Sequence, residues 1–238
     1  MNIALSLTVA LLPAILLLLY IWKKDPQKEP TGQLVKAVLW GVAICLPIGF
    51  VELGIQEVLF GGKTPTDLWS STAQAFLLAA VPEEAAKLFA LWLILRKNPY
   101  FDEHFDGIVY AVCVGLGFAA IENVFYVLQS EEEWLSVGIV RSLLAVPGHY
   151  AFAVLMGFYY SLYHFVDHSK KTAVCILLVP VIAHGIYDAI AFSGMVSAAI
   201  GGISFLVLVV FCIKMHKVAK TKIVAQIERD ENEPPLVA

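Results

Sequence analysis

Charge is scarce in this chain: 15% of its 238 residues are Asp, Glu, Lys or Arg, against roughly a quarter in an average soluble domain. That shortfall excludes an ordinary water-facing surface, and a 59% hydrophobic content points to lipid as the surrounding solvent. Cysteine is scarce too. Cys45, Cys113, Cys175 and Cys212 all lie in long apolar runs without paired spacing, which excludes a disulfide framework and a thiolate zinc site and leaves them as packing residues. A basic excess is also lacking: 16 Lys and Arg against 20 Asp and Glu, for a net charge of −4, give no footing for nucleic-acid binding. No repeat, low-complexity tract or second domain interrupts the chain.

What is present are uncharged runs long enough to cross a bilayer, which takes about 20 apolar residues in a helix. Seven are expected, over 3–22, 36–60, 70–95, 107–128, 136–160, 172–192 and 195–213. The fold class is therefore all-α, a polytopic integral membrane protein, with residues 1–216 as one transmembrane helical domain. Residues 217–238 start basic and turn polar, and are expected to be a flexible cytoplasmic tail. The first run lacks a basic leader and a small-residue cleavage site and stops at Lys23-Lys24, so it reads as an uncleaved anchor. All Lys and Arg except Lys63, Lys87 and Arg141 fall on the side of the first loop and the carboxyl tail. The positive-inside rule then puts the amino terminus outside and the tail in the cytoplasm.

Against that background the charges within the spans stand out, because an unpaired one costs several kcal/mol in hydrocarbon. The third run carries Glu83-Glu84-Ala85-Ala86-Lys87 directly after Pro82, which cannot donate a backbone hydrogen bond and is expected to kink or restart the helix. Glu83 and Lys87, four apart, share a face, with Glu84 a quarter-turn away. The fourth run carries Glu122-Asn123, the fifth Pro147-Gly148-His149, with Arg141 near its outer end, and the sixth His184-Gly185-Ile186-Tyr187-Asp188. Counting about 1.5 Å per residue from the outer ends, Glu83 and His149 lie roughly 20 Å deep, His184 about 12 Å, Glu122 about 9 Å and Asp188 about 6 Å. Five ionisable groups on four helices can thus share the middle and outer half of the bilayer.

Each feature alone has a plain structural reading. A Glu–Lys pair four apart is as often a structural ion pair as a functional one, and a single membrane histidine more often bridges helices than catalyses. Glu52 and Glu57 are read as approaching the outer surface without a special role, and Glu131-Glu132-Glu133 as a solvated turn. The coincidence of depth favours a site. Three carboxylates and two imidazoles with no serine or cysteine beside them suit activation of water rather than a covalent nucleophile. Two routes stay open: a carboxylate base with His184 or the restarted helix end steadying an oxyanion, or Glu122, His149 and His184 holding a divalent metal such as zinc. A transporter or channel using these Glu, His and Asp residues as a proton or ion relay is the competing class, although no inverted repeat is evident.

An ordered set of motifs resembles the PrsW family of membrane-embedded bacterial proteases: Lys24-Asp25-Pro26 with Glu29-Pro30, Glu83-Glu84-x-x-Lys87, Phe101-Asp102-Glu103-His104-x-Asp106-Gly107, Gly117-Phe118-Ala119-x-x-Glu122-Asn123, His149, Met156-Gly157-Phe158-Tyr159 and His184-Gly185-x-Tyr187-Asp188. The resemblance implies a multi-pass protein of the bacterial cytoplasmic membrane that makes the first, extracytoplasmic cut in a single-pass anti-sigma factor during envelope stress. It implies that Glu83, Glu84 and His184 are essential. With the depth argument, the expected catalytic set is Glu83, Glu84, Glu122, His149 and His184, supported by Lys87, Asn123 and Asp188. The pattern is more distantly similar to the membrane prenyl-protein (CAAX) proteases, but departs from them: Lys87 stands one position early for their arginine, Glu122 replaces a histidine and Asp188 an asparagine. The run 101–107 is too polar for lipid and is expected to cap an interface.

Overall fold

A computed structural model describes residues 2–232, and within them nine α-helices and no strands. Local chemistry sets the helix ends. Asn2 caps α1 (Ile3–Lys24) by accepting from the Leu5 N–H, and the Lys23-Lys24 pair closes it. Pro30 opens α2 (Thr31–Phe60), which Gly61 ends in the left-handed conformation (φ 60°) that a side chain resists. Asp67 and Ser70 form a capping box on α3 (Leu68–Gln74), and Glu103 and Asp106 form another on α5 (His104–Gln129). Ser169 caps α8 (Lys170–Ser193).

Among the described residues, six helical stretches are long and apolar enough to cross a membrane: Ile3–Lys24, Thr31–Phe60, His104–Gln129, Glu131–Val166, Lys170–Ser193 and Ala199–Asn232. The remaining expected span is the run of α3, a π segment over Ala75–Ala80 and α4 (Val81–Leu95). It carries Glu83, Glu84 and Lys87 within its apolar run. The expected span 136–160 is two helices, α6 (Trp134–Leu143) and α7 (Ala145–Ser161), hinged at Leu144 (φ −121°, ψ −54°).

Helix α5 is the axis of the bundle. Every residue from His104 to Ala119 is buried, as expected of a helix that is apolar all round. Its neighbours approach backbone to backbone. A Cβ on Gly117 would sit 2.2 Å from the Val38 carbonyl oxygen of α2, and one on Gly157 of α7 would sit 2.2 Å from the Gly107 carbonyl oxygen of α5. These contacts need residues without side chains. The outer helices turn apolar side chains outward, among them Phe50, Leu53 and Val58 on α2 and Ile203, Leu206 and Val210 on α9 (Ala198–Asn232), the faces that lipid covers.

The expectation of a flexible tail from residue 217 is corrected up to Asn232. Helix α9 runs through it, and Ala219, Ile223 and Gln226 are buried. Asp230 accepts from the backbone N–H groups of His104 and Phe105 and meets the His104 Nδ1 at 2.7 Å. The stripe 219, 223, 226, 230 follows helical spacing and docks α9 on the start of α5; its polar members hid it from a hydropathy reading. Residues 233–238 of the expected tail lie outside the described residues.

The run 101–107 joins this packing. Glu103 accepts from the Gln27 amide, and Tyr110 donates to Glu29. Burial, then the nearby Asp230, Asp25 and Asp102, push Glu103 up to about 7. Burial, then Asp25 and Asp102, raise Glu29 to about 7 against the opposing bond from Tyr110. An unfolded glutamate titrates near 4.5, so the folded chain holds these protons more tightly. Their contribution to stability is fully present below about pH 4.5 and is lost as pH rises through about 7. Thermal melts in a chelating buffer should therefore show Tm falling between about pH 5 and about pH 8, with a shallower fall for Glu103→Gln; equal slopes would contradict this account.

Candidate active site

The π segment sets the register of the site. Its backbone stays helical into α4, with Ala80 at φ −58°, ψ −45° and Val81 at φ −67°, ψ −54°, and the Val81 N–H bonds to the Phe76 carbonyl. The restart expected at Pro82 is therefore corrected to a widened turn. The wide turn absorbs the missing N–H of Pro82 without breaking the rod, so no free helix end faces the site as an oxyanion partner. Glu83, Glu84 and Lys87 on α4 are all buried.

Lys87 Nζ lies 2.9 Å from Glu83 Oε2 and 2.9 Å from Glu84 Oε1. The expected separation of Glu84 from the Glu83–Lys87 face is thus corrected. Residues three and four apart are both neighbours on a helix, and a long ammonium side chain reaches the two together. The same Nζ is 3.1 Å from His149 Nδ1 and 4.3 Å from the centre of the Phe118 ring.

The two histidines, from α7 and α8, are arranged alike. His149 turns Nδ1 to Lys87 and Nε2 to Glu122 Oε2 at 3.0 Å. His184 turns Nδ1 to Glu84 Oε1 at 2.9 Å and Nε2 to Asp188 Oδ2 at 3.1 Å. Each ring thus points Nδ1 inward and is held from behind by a carboxylate on Nε2, the arrangement that orients metal-binding imidazoles. Phe152 stacks on His184, with ring centres 4.9 Å apart.

Ligand atoms of Glu83, Glu84, His149 and His184 all lie within 4.8 Å of one another. Two imidazoles with carboxylate oxygens form a catalytic zinc-type donor set, and Glu84 Oε2, in a residue with no exposure, has no hydrogen-bond partner among the described residues. The residues therefore fit a divalent ion.

Glu122, expected among the ligands, lies outside this group. Its Oε2 is 2.8 Å from Arg141 Nη2, and Arg141 Nε donates to Asn123 Oδ1 at 3.0 Å. Asn123 in turn donates to the Ala10 carbonyl at 2.8 Å, tying α5 to α1. Arg141 was placed near an outer end, and its spacing gave no sign of this partner. Glu52, expected near the outer surface, is brought by α2 with its carboxyl against Glu83, a meeting between helices that no local spacing announces.

Residues 29–215 match the model of the PrsW family intramembrane metalloproteases. The chain belongs to this family. It is 37% identical to Protease PrsW of Geobacillus kaustophilus over 178 residues, 74% of this chain and 75% of the relative. It is 34% identical to Protease PrsW of Bacillus subtilis over 185 residues, 76% and 80% of the two chains. The corresponding Clostridioides difficile protein is 33% identical over 186 residues, 76% of each. No solved structure matches. The chain is thus a multi-pass membrane hydrolase of the PrsW family, and a metalloprotease family agrees with the donor set gathered from α4, α7 and α8.

Proposed function

We propose that the chain cleaves a single-pass membrane protein by metal-assisted hydrolysis, with His149, His184 and Glu84 as ligands and Glu83 as general base. The observation carrying the assignment is the inward turn of both Nδ1 atoms beside the unpartnered Glu84 Oε2. An ion of the zinc class held there supplies Lewis acidity to a water and to the scissile carbonyl. Glu83, bonded only to Lys87 among the site's cations, accepts the proton of the attacking water and returns it to the leaving amine. Asp188 and Glu122 hold the Nε2–H of each ring, which keeps the Nδ1 lone pairs facing the ion. Lys87 offsets carboxylate charge that would otherwise be unpaired in an apolar bundle.

The motif resemblance supports an anti-sigma factor as substrate, cut on the extracytoplasmic side of the bacterial cytoplasmic membrane. The excess of Lys and Arg around the first loop and α9 supports that orientation.

The test is cleavage of a purified single-pass anti-sigma factor by detergent-solubilised protein. A chelator should abolish cleavage and zinc should restore it, while His184→Ala should be inactive under both conditions. Full cleavage in chelator, or by His184→Ala, would overturn the assignment.

A further inference from the structure

A second group of acids lies far from the active site. Asp106 precedes Glu122 by sixteen positions on α5, about 24 Å along the helix. Ligand oxygens of Glu29, Asp102 and Asp106 lie within 4.8 Å of one another, a spread that a calcium-sized ion with metal–oxygen distances of about 2.4–2.6 Å can bridge, and that closes slightly around a smaller one.

The second observation concerns oxygens that the fold leaves without partners. Asp106, with no exposure, accepts through Oδ2 from the N–H groups of Asp102 (3.1 Å) and Glu103 (2.8 Å), while its Oδ1 has no hydrogen-bond partner among the described residues. Asp25, 2% exposed, accepts through Oδ2 from the Glu29 N–H, and its Oδ1 is likewise unpartnered, as is Glu103 Oε2. Orphaned carboxylate oxygens in a buried site are costly unless something positive meets them. Of the cations close by, Lys28 Nζ donates to the Asp25 carbonyl oxygen, and His104 Nδ1 meets Asp230.

We propose that Glu29, Asp102 and Asp106, with Asp25 and Glu103 beside them, form a second metal site that takes a hard divalent cation of the magnesium or calcium class. The donors are all oxygens, with neither imidazole nor thiolate, which sets this site apart from the His-containing active site. Its ligands come from the loop between α1 and α2, the loop before α5 and the first turn of α5. A cation there joins three chain segments next to the point where Asp230 docks α9. The polar run 101–107 is then explained as one wall of this site. A proton shared between the carboxyl groups of Glu29 and Asp106, which are close enough for that bond, is the rival way to settle the same charge.

The experiment uses full-length protein in detergent, stripped with chelator, in a His184→Ala background so that the first site is disabled. Terbium is the probe, its emission sensitised by Tyr110, whose hydroxyl donates to Glu29, with displacement by calcium or magnesium chloride. Calorimetric titration with each chloride gives affinity directly. The parent should bind one ion, and Asp102→Asn and Asp106→Asn should each weaken binding about tenfold or more. Asp102 is exposed, so its substitution leaves the buried packing intact and keeps the test valid if Asp106→Asn does not fold. Absence of binding in the parent, or unchanged affinity in Asp102→Asn, would overturn the proposal. So would a parent that binds nothing while Asp106→Asn raises Tm, which marks a shared proton.

Discussion

Glu83→Gln and Glu84→Gln should each lower proteolysis by about 10²- to 10⁴-fold, yet only Glu84→Gln should also lose the bound ion. The two carboxylates share Lys87 but differ in everything else around them. Glu84 has no exposure, meets the His184 Nδ1 at 2.9 Å and keeps one oxygen without a partner. Glu83 contacts Lys87 and faces Glu52 across the α2–α4 contact. A glutamine at 84 keeps the shape but removes the anionic ligand, so affinity for the ion falls with activity. A glutamine at 83 removes the proton acceptor and leaves the ligand set standing. Single-turnover cleavage, with elemental analysis of the purified variants, separates the two. Metal retained by Glu84→Gln and lost by Glu83→Gln would reverse the roles.

Arg141→Met should cost about 3–5 kcal/mol of stability, the usual penalty for removing one partner of a largely buried ion pair. Arg141 pairs with Glu122, holds the Asn123 amide oxygen and stacks over Tyr126 at 3.7 Å. Its loss leaves Glu122 with a single imidazole for a partner. The double variant Arg141→Met, Glu122→Leu should recover most of the lost stability, because it removes the stranded charge along with its partner. It should not recover activity, since His149 then lacks the acceptor that fixes its ring. Thermal unfolding of the three proteins in one detergent, beside their cleavage rates, makes the comparison. A double variant no more stable than Arg141→Met would show that charge pairing is not what Arg141 contributes.

The sequence reading and the structure agree where composition or depth along a helix decides the matter. Most of the apolar runs match long helices, and Glu83, Glu84, His149 and His184 meet, within the range of depths that their positions allowed. What the reading missed depends on helix rotation or on packing between distant segments. Nothing local to Arg141 shows that it turns toward Glu122, nineteen positions away, and Asn123, eighteen positions away. Glu52 meets Glu83 only because α2 is seated on α5 through Gly117 and packs on α4. The π segment ahead of Pro82 replaces the expected break, because a wide turn accommodates a missing N–H while keeping both halves in line. The end of α9 carries the composition of a flexible tail because Gln226 and Asp230, the residues that dock it, are polar.

Lys87 has a consequence for how such a protein is made. Its ammonium lies against the proposed base Glu83 and two of the three proposed ligands, Glu84 and His149, so the buried carboxylates have a positive partner built into the chain itself. Small zinc domains stay unfolded until metal arrives, because nothing else neutralises their ligands. Here the bundle can be inserted into the bilayer and packed with part of its buried carboxylate charge already offset, and biogenesis does not have to wait on the supply of metal.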